Sequence, residues 1–317
     1  MSQLLTNKNI LITGGAGFIG SHIAESILEN GGNVRIFDNL STGYISNLET
    51  IKNNIEFIQG DIRDVDALNK SCKGIDIIFH EAAEVSVQKT FENPIETSII
   101  NDIGTLNVFE TARNCGVKRV VFASSCAVYG NDPELPKKEV MKPNPKSFYA
   151  AQKIMGEYYA SLYHDLYQLE TVCLRYFNVY GPRQDPSSSY SGVISIFLNK
   201  AINHSAPTIF GDGCQSRDFV NVADVVRANL LAATQEEISG NVYNIGTEKM
   251  TTINELWAII ARLTQKQLTP SYASPRPGEV RASLSDVSKA RSELGYSPLV
   301  SFEKGLEQTL AWYAQKT

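Results

Sequence analysis

The stretch that decides the fold is TGGAGFIG at residues 13–20, which places glycines between a strand pattern and a helix pattern. It follows the apolar run NILIT (9–13) and opens FIGSHIAESILENG (18–31), whose terminal glycine is typical of a helix end. Glycines with this spacing permit a tight turn and a close approach of the backbone to a pyrophosphate. The stretch alone is also compatible with an ordinary strand-to-helix turn. The dinucleotide contacts that it predicts are Gly14, Gly17, Phe18, Ile19 and Gly20.

Short apolar runs recur along the first half of the chain, and longer helical patterns separate them. Both faces of these runs are apolar, as in a parallel sheet that is covered by helices on both sides. This alternation predicts an α/β fold built on a doubly wound parallel sheet of the Rossmann type. The predicted strands are 9–13, 33–38, 55–61, 75–83, 118–125 and 169–178.

The pattern changes after about residue 180, where GPRQDPSSSYSG (181–192) is polar and rich in Gly, Pro and Ser. We expect residues 1–180 to form the dinucleotide-binding domain, with later segments returning to complete the sheet. Residues 181–317 are expected to form mainly a smaller, irregular substrate-binding region. It would cover the C-terminal edge of the sheet, where ligands of such folds bind.

The composition narrows the class of protein. The chain has 317 residues, 43% of them hydrophobic, and a formal net charge of −5, so we expect no nucleic-acid partner. It lacks an apolar run of the ~18 residues that a transmembrane helix requires, so we expect no membrane association. Its five cysteines are widely spaced and form no CxxC pair, which is typical of reduced thiols in a cytoplasmic protein.

Asp38 ends the second predicted strand and favours NAD over NADP as cofactor. A carboxylate here can bind both hydroxyls of an adenosine ribose and would repel a 2′-phosphate. The following residues, NLSTG (39–43), contain no arginine to bind such a phosphate. Asp61 and Ile62, after the third strand, are predicted to flank the adenine, and the alternative for Asp61 is an N-cap of the next helix. The other cofactor contacts predicted in this region are Asn39, Ser41, Thr42 and Gly43.

Three further residues suggest acid–base chemistry. Tyr149 and Lys153 have the spacing YxxxK, which places both side chains on one face of a helix. The pKa of an unperturbed tyrosine is about 10, but a neighbouring ammonium and the positive nicotinamide ring would favour the phenolate and make it a usable base. Ser125, in SSCAVYG (124–130), contributes a hydroxyl after the fifth strand. Because YxxxK alone is common by chance, the prediction depends on its occurrence together with the glycine turn and Asp38.

In this order, the motifs resemble those of the extended short-chain dehydrogenases/reductases, and within them the NAD-dependent nucleotide-sugar epimerases and dehydratases. The resemblance extends from TGGAGFIG to RPGEVR (276–281) and thus covers nearly the whole chain. It implies that Tyr149 is the base, that Lys153 binds the nicotinamide ribose and adjusts the pKa of Tyr149, and that Ser125 bridges to the sugar.

The resemblance also assigns more residues to the NAD site. Glu81 departs from the family, which more often has an apolar residue or glutamine at this position. HEAAE (80–84) also resembles half of a zinc motif, but it lacks a second histidine, so no metal is expected. The cofactor contacts that the resemblance implies are Glu81, Ala82, Ala83, Asn101, Ser124, Tyr149, Lys153, Tyr176 and Phe177.

SSCAVYG separates the reactions of this family. In the dehydratases, acidic residues follow the catalytic hydroxyl and eliminate water, and decarboxylases of UDP-glucuronate carry a similar glutamate. Here the positions are Cys126 and Ala127. Alanine has no proton to give, and a thiol with a pKa of about 8.5 is poorly matched to a leaving hydroxyl. The site therefore predicts proton and hydride transfer at one carbon, as in a 4-epimerase of a UDP-hexose that keeps its NAD bound.

Other functions remain open at this point. A 4-epimerase of a UDP-uronic acid and a reductase of a nucleotide 4-keto sugar would use the same scaffold. A non-catalytic sensor of NAD or of a sugar nucleotide belongs to another class, and the intact set of Ser125, Tyr149 and Lys153 argues against it.

The resemblance implies contacts to the UDP-sugar as well. Arg217 and Arg276 would bind the diphosphate with Asn178, although Arg217 could instead form a local ion pair with Asp218 and Arg276 could be a solvated charge. Glu279 would bind the nucleotide ribose, and Val193 and Phe210 would flank the base. The implied substrate contacts are Ser86, Val87, Ser125, Cys126, Asn178, Val193, Phe210, Arg217, Arg276, Glu279 and Ser283.

Two expectations concern substrate size and assembly. Ser283 lies four residues after Glu279, at the position that faces the C2 substituent of the sugar in the family. A small residue there would leave room for an N-acetyl group, unless Ser283 simply begins the next helix or strand. The helices predicted around 102–115 and 148–165 match those that pair in family dimers, which favours a homodimer, although both could be internal packing faces.

Overall fold

The computed structural model describes residues 5–186, 192–275 and 280–315. In chain order its strands are β1 (Asn9–Thr13), β2 (Asn33–Asp38), β3 (Ile55–Gln59), β4 (Ile77–His80), β5 (Arg119–Ser125), β6 (Glu170–Tyr176), β7 (Asn178–Tyr180), β8 (Thr208–Phe210), β9 (Ser216–Arg217), β10 (Phe219–Asn221), β11 (Asn241–Ile245), β12 (Thr251–Thr252) and β13 (Ser271–Ala273).

Helices cover both faces of the main sheet and form most of the second region. The α-helices are α1 (Phe18–Glu29), α2 (Val65–Ser71), α3 (Val87–Glu92), α4 (Pro94–Ser98), α5 (Gly104–Cys115), α6 (Phe148–Tyr167), α7 (Val193–Ile202), α8 (Val222–Thr234), α9 (Ile253–Thr264) and α10 (Phe302–Ala314). A π-helical turn, Ile99–Ile103, joins α4 to α5.

The main sheet has seven strands in the order β11-β6-β5-β4-β1-β2-β3, and each neighbouring pair is parallel. The predicted α/β fold with a doubly wound parallel sheet is therefore confirmed. The predicted third and fourth strands are too long, since β3 ends at Gln59 and β4 ends at His80. The residues beyond these ends leave the sheet at its C-terminal edge and line a cavity there.

The core of the sheet follows from the alternation of side chains along its strands. In β1, Ile10 and Ile12 pack on the face that is covered by α1 and α8, and Leu11 packs on the face covered by α2 and α5. All three side chains are fully buried. With both faces covered, every ligand must approach this sheet at its edge.

The second region has its own apolar core, built mainly by α7, α9 and α10. The rings of Phe197 and Trp257 meet edge to face within it, with their centroids 5.8 Å apart. The chain nevertheless returns to the first region, because β11 pairs with β6 and α8 packs against α1. The second region is thereby held over the C-terminal edge of the sheet.

Candidate active site

The glycine turn leaves the start of α1 open for a ligand. Gly17 occupies the N-cap position, and no side chain caps the helix, so its first amide groups are available to an anion. Gly14 has φ = +72°, and a Cβ there would lie 2.6 Å from the Ala82 nitrogen. A Cβ on Gly20 would lie 2.4 Å from the Gly14 oxygen. Only glycine fits these two positions, and the turn suits a dinucleotide pyrophosphate.

A cavity of about 680 Å³ begins at this turn and follows the C-terminal ends of the first four strands. The structure brings most of the predicted cofactor contacts together in its wall. Those in the wall are Gly14, Gly17, Phe18, Ile19, Gly20, Asp38, Asn39, Ser41, Thr42, Gly43, Asp61, Ile62, Glu81, Ala82 and Ala83, and the predicted substrate contact Ser86 joins them.

Asp38 is fixed in the cavity wall by two backbone amides. Its Oδ2 accepts a hydrogen bond from the Ala16 nitrogen at 2.9 Å, and its Oδ1 accepts one from the Leu40 nitrogen at 2.8 Å. Burial raises the pKa of this carboxyl group, and both hydrogen bonds oppose the rise. The side chain is thus held in one position at the cavity, where it suits the hydroxyls of a ribose.

Asp61 does not cap a helix, so the alternative proposed for it is wrong. Asp64 caps α2, since its side chain accepts a hydrogen bond from the Ala67 nitrogen. Asp61 instead binds Arg63, whose hydrogen bonds lower the pKa of Asp61 to about 2. Arg63 also pairs with Glu96, and both residues line the cavity. Sequence reasoning missed Arg63, although its position two residues after Asp61 is a usable signal.

The three predicted catalytic residues come together at the end of β5 and the start of α6. Ser147 caps α6, and this fixes Tyr149 in its first turn. Ser125 lies close enough to Tyr149 for its hydroxyl to lower the pKa of the phenol, which opposes the effect of burial. The Lys153 Nζ donates a hydrogen bond to the Ala123 oxygen at 2.8 Å and lies 5.8 Å from the centroid of the Tyr149 ring.

Burial dominates the electrostatics of this group. It raises the pKa of Tyr149 to about 12 and lowers the pKa of Lys153 to about 8. Glu81 acts on both residues, because its negative charge opposes a phenolate and favours an ammonium. Lys153 alone therefore does not produce the expected phenolate. The positive nicotinamide ring would have to supply the remaining stabilisation.

Four residues predicted to contact the cofactor lie behind the cavity wall. Asn101 donates to the Gln152 side chain at 2.7 Å and accepts from the Glu84 nitrogen at 2.8 Å. Ser124 donates to Glu157, and the Phe177 nitrogen donates to the Ile245 oxygen. The other such residue is Tyr176, whose hydroxyl donates to Glu81. These four residues, together with Tyr149 and Lys153, are the predicted cofactor contacts that do not line the cavity.

Two of the predicted sugar-nucleotide contacts, Arg217 and Ser283, lie near Cys126, the residue that follows Ser125. Ser283 and the positive charge of Arg217 lie close enough to the Cys126 thiol to lower its pKa. Burial raises the pKa of Cys126 to about 11. Ser283 lies in neither a helix nor a strand, and its nitrogen donates to the Ser216 oxygen at 3.1 Å. The alternative proposed for Ser283, the start of an element, is therefore wrong.

The neighbouring acid Asp218 has a structural role. Its fully buried carboxylate accepts hydrogen bonds from the backbone and the hydroxyl groups of Thr247 and Ser285. It thereby ties together three segments beneath the site. Its own backbone oxygen accepts a hydrogen bond from the Asn178 nitrogen at 3.1 Å.

A second cavity, of about 480 Å³, lies in the C-terminal region. It contains Phe210, one of the two residues predicted to flank the base. The other, Val193, begins α7. Val87 lies in α3 with 41% of its surface exposed. The predicted contacts Arg276 and Glu279 lie outside the described residues.

The half motif HEAAE has a structural explanation. His80 is buried at the end of β4, with Nδ1 2.7 Å from the Thr13 hydroxyl and Nε2 3.0 Å from the Thr105 hydroxyl. Within residues 5–186, 192–275 and 280–315, no three His, Cys, Asp or Glu side chains group in a way that could hold a metal ion. None of the helices in these ranges has the length and apolar character needed to span a membrane.

The fold and this site define an enzyme of the extended short-chain dehydrogenase/reductase class. The model of the NAD dependent epimerase/dehydratase family matches residues 10–246. A protein from Methanocaldococcus jannaschii named putative UDP-glucose 4-epimerase is 44% identical, over 96% of this chain and 97% of its own.

Two solved structures are similar over nearly their whole length. The UDP-N-acetylglucosamine 4-epimerase of Methanobrevibacter ruminantium, in complex with UDP-N-acetylmuramic acid, has a TM-score of 0.95 and 39% identity, with 98% of this chain and 100% of that one covered. The UDP-glucose 4-epimerase of Thermus thermophilus, in complex with NAD, has a TM-score of 0.90 and 36% identity, again covering 98% and 100%. The chain belongs to the NAD-dependent epimerase/dehydratase family, and its cofactor is NAD.

Proposed function

We propose that this protein is a 4-epimerase of a UDP-hexose that acts through a transient 4-keto sugar. The observation that carries the proposal is the pair Cys126 and Ala127 beside Ser125, where an elimination would need an acid. With its pKa raised to about 11, the Cys126 thiol is a still weaker acid than a free thiol. The similarity to proteins named 4-epimerases supports the same conclusion.

The site residues suit a reversible oxidation at a single carbon. Tyr149 takes the proton of the C4 hydroxyl, and Ser125, which lies close to Tyr149, steadies the sugar oxygen. NAD, when bound, supplies the hydride acceptor and later the hydride donor. The keto sugar rotates, so that hydride returns to its opposite face while Tyr149 gives the proton back. Lys153 favours the phenolate form of Tyr149 by its charge.

The test is to incubate the purified protein separately with UDP-glucose, UDP-N-acetylglucosamine and UDP-glucuronate, and to resolve the C4 epimers of each product. We expect interconversion of at least one hexose pair without added NAD. No 4-keto-6-deoxy sugar should appear in the mass spectrum. Its accumulation would contradict the interpretation of Cys126 and Ala127.

The same assay distinguishes the alternatives. Conversion of UDP-glucuronate alone would indicate a 4-epimerase of a uronic acid. Stoichiometric oxidation of added NADH by a keto sugar would indicate a net reductase. Binding of NAD and sugar nucleotide without any turnover would indicate a sensor, which the intact arrangement of Ser125, Tyr149 and Lys153 argues against.

We propose that Ser283 sets the size of the accepted C2 substituent. Its effect on the pKa of Cys126, the neighbour of the catalytic Ser125, supports a position beside the sugar. Ser283 is small, so an N-acetyl group at C2 would have room. Both UDP-glucose and UDP-N-acetylglucosamine would then be substrates. Arg217, which acts on the same thiol, is proposed to bind the diphosphate, and Phe210 to flank the base.

We further propose that the protein is a homodimer. The helix α6 has an apolar stripe on its exposed side, at spacings of three, four and seven residues, while its opposite side is buried. The helical run 94–103, which packs against α6, continues this surface. An apolar face of this extent is typical of an interface. Its exposed residues are Ile95, Ile99, Ile103, Phe148, Met155, Tyr158, Leu162 and Leu166.

A second copy of the chain is the proposed occupant of this face, which can be tested by sedimentation velocity. Leu162→Glu places a charge in the middle of the stripe and should produce a monomer. Leu299→Glu is the matched control, because Leu299 is 71% exposed elsewhere on the surface. A wild-type protein that sediments as a monomer would contradict the proposal.

The setting that we propose is the cytoplasm. All five cysteines are free thiols, and Cys72 and Cys173 are buried. Such thiols are typical of a reducing compartment. Cell fractionation tests this proposal directly.

A further inference from the structure

Glu81 is a carboxylate in the cavity wall for which the proposed mechanism has no role. It follows β4 directly, and its Oε1 accepts a hydrogen bond from the Tyr176 hydroxyl at 2.8 Å. The Tyr176 oxygen in turn accepts a hydrogen bond from the Asn229 side chain at 2.8 Å. The carboxylate is therefore held in one orientation by two buried side chains that lie behind it.

The other carboxylates near this part of the site are paired with cations. Glu157 binds the Arg175 guanidinium, with the shorter contact at 2.7 Å, and Glu84 binds Lys89 at 3.0 Å. The hydrogen bond to Glu81, in contrast, comes from a neutral phenol. Burial of a carboxylate with such a partner is costly, and it raises the pKa of Glu81 to about 7. A negative charge on Glu81 is therefore expensive in the cofactor-free site, and a cation placed beside it would favour the ionised form.

The charge acts where the hydride is transferred. Glu81 influences both Tyr149 and Lys153, and it shares the cavity wall with Ala82 and Ala83. In the reactive state Tyr149 is a phenolate, Lys153 is an ammonium, and the oxidised nicotinamide ring carries a positive charge. An ionised Glu81 makes these four charges sum to zero. After hydride transfer the ring is neutral, and the proton has moved to Tyr149.

We propose that Glu81 is the counter-charge of the oxidised nicotinamide ring, so that the site binds oxidised NAD more tightly than reduced NAD. The inference rests on the proposed function, because this preference is useful to an enzyme that completes an epimerase cycle. An epimerase must return the hydride in every cycle, and a bias toward the oxidised cofactor drives that return. This bias also lowers the fraction of enzyme that is left with reduced NAD after a keto sugar dissociates. Protein charges near a redox cofactor adjust its potential in this way.

The alternative is that Glu81 only anchors the Tyr176 hydroxyl. Glu81→Gln separates the two roles, because the glutamine oxygen can still accept that hydrogen bond while the charge is lost. Glu81→Asp keeps the charge and serves as the conservative rescue. Glu84→Gln is the matched control, since it removes a carboxylate from the same wall that is already paired with Lys89.

The first measurement is the affinity of the full-length protein, stripped of nucleotide, for oxidised and reduced NAD by titration calorimetry. Glu81→Gln should weaken binding of the oxidised form about tenfold and of the reduced form less than twofold. Glu81→Asp and Glu84→Gln should keep the wild-type ratio of the two affinities within about twofold. A ratio that Glu81→Gln leaves unchanged would overturn the proposal.

The second measurement uses the enzyme as purified with its cofactor. After incubation with UDP-glucose, the absorbance of reduced nicotinamide gives the fraction of enzyme in the reduced state. Glu81→Gln should raise this fraction several-fold over wild type, and an equal fraction would contradict the inference. Because the titration needs no sugar, its result stands apart from the proposed function. A wild-type protein without epimerase activity but with the predicted affinity ratio would refute the proposed function alone.

Discussion

The two halves of the active site are built by different means. The NAD half consists of glycines, strand ends and backbone amides, and Asp38 is fixed there by two amide hydrogen bonds. The sugar half consists of side chains from separate segments, where Ser125 and Cys126 lie close to Ser283, which is more than 150 residues away in the chain. The first half is tied to the geometry of the sheet, whereas the second half can change one side chain at a time. This difference fits a family with one cofactor and several sugar substrates.

The largest effect is expected from Tyr149→Phe, because Tyr149 lies where the NAD half and the sugar half of the active site meet. The change removes the base and leaves the glycine turn intact. Epimerisation should fall about a thousandfold, the usual contribution of acid–base catalysis, while NAD remains bound. Turnover and cofactor content are measured on the same sample. A variant that keeps a tenth of the wild-type rate would show that another group is the base.

A smaller and selective effect is expected in the sugar half. Ser283→Tyr should lower turnover of UDP-N-acetylglucosamine at least a hundredfold by filling the space at C2, and turnover of UDP-glucose should change less than about fivefold. The two rates are measured side by side by chromatography of the epimers. Ser283→Ala is the control, and it should keep both activities. Equal losses on both sugars would show that this position does not select the substrate.

A pH effect is expected from the NAD half. In the cofactor-free protein the pKa of Glu81 is raised from 4.5 to about 7, so the folded state holds this proton more tightly than the unfolded state. The stability from this group is fully present below pH 4.5 and is lost as the pH rises to about 7. The loss amounts to as much as about 3 kcal/mol.

Urea unfolding at pH 5 and pH 8 measures this effect. Glu81→Gln should show a smaller decrease in the free energy of unfolding over this interval than wild type. Added NAD should also reduce the decrease in wild type, if Glu81 is the counter-charge of the ring. Identical pH dependence in the two proteins would exclude Glu81 as the group that titrates.

The smallest effect distinguishes two neighbouring acids in the NAD half. Asp64→Ala removes the N-cap of α2 and should cost about 1 kcal/mol of stability with NAD affinity unchanged. Asp61→Ala leaves that cap in place and leaves Arg63 in the cavity wall paired with Glu96 alone, so NAD affinity should change instead. Thermal unfolding and NAD titration are measured on both variants. If both lose the same property, the separation of the two roles is wrong.

The sequence predicted the sheet well because its strands are buried on both faces and read as continuous apolar runs. Its order and parallel pairing agree with the doubly wound fold. The glycine positions were also predictable, since a Cβ at Gly14 or Gly20 would collide with backbone atoms. The glycine spacing is visible in the sequence, although the backbone that it accommodates at Gly14 comes from the distant residue Ala82.

The electrostatics of the site were less predictable. The pKa of Tyr149 depends on burial and on Glu81, which follows a strand distant in sequence, so the YxxxK spacing alone did not indicate that the protein's own groups raise this pKa. The contact between Cys126 and Ser283 also joins distant segments, and no periodicity indicates it. The burial of a group and the charges near it can be assessed only from the folded structure.

Because β11 comes late in the chain, one edge of the main sheet is completed late in translation. Residues 177–240 separate β6 from β11, and α8 within that interval covers α1 near the N-terminus. At ~5–20 residues per second, a ribosome needs several seconds to synthesise this interval after β6 has emerged. During that time the edge of β6 and the apolar side of α1 are not yet covered by β11 and α8. A nascent chain of this design is therefore exposed to aggregation late in translation, when most of its cofactor-binding half has already been synthesised.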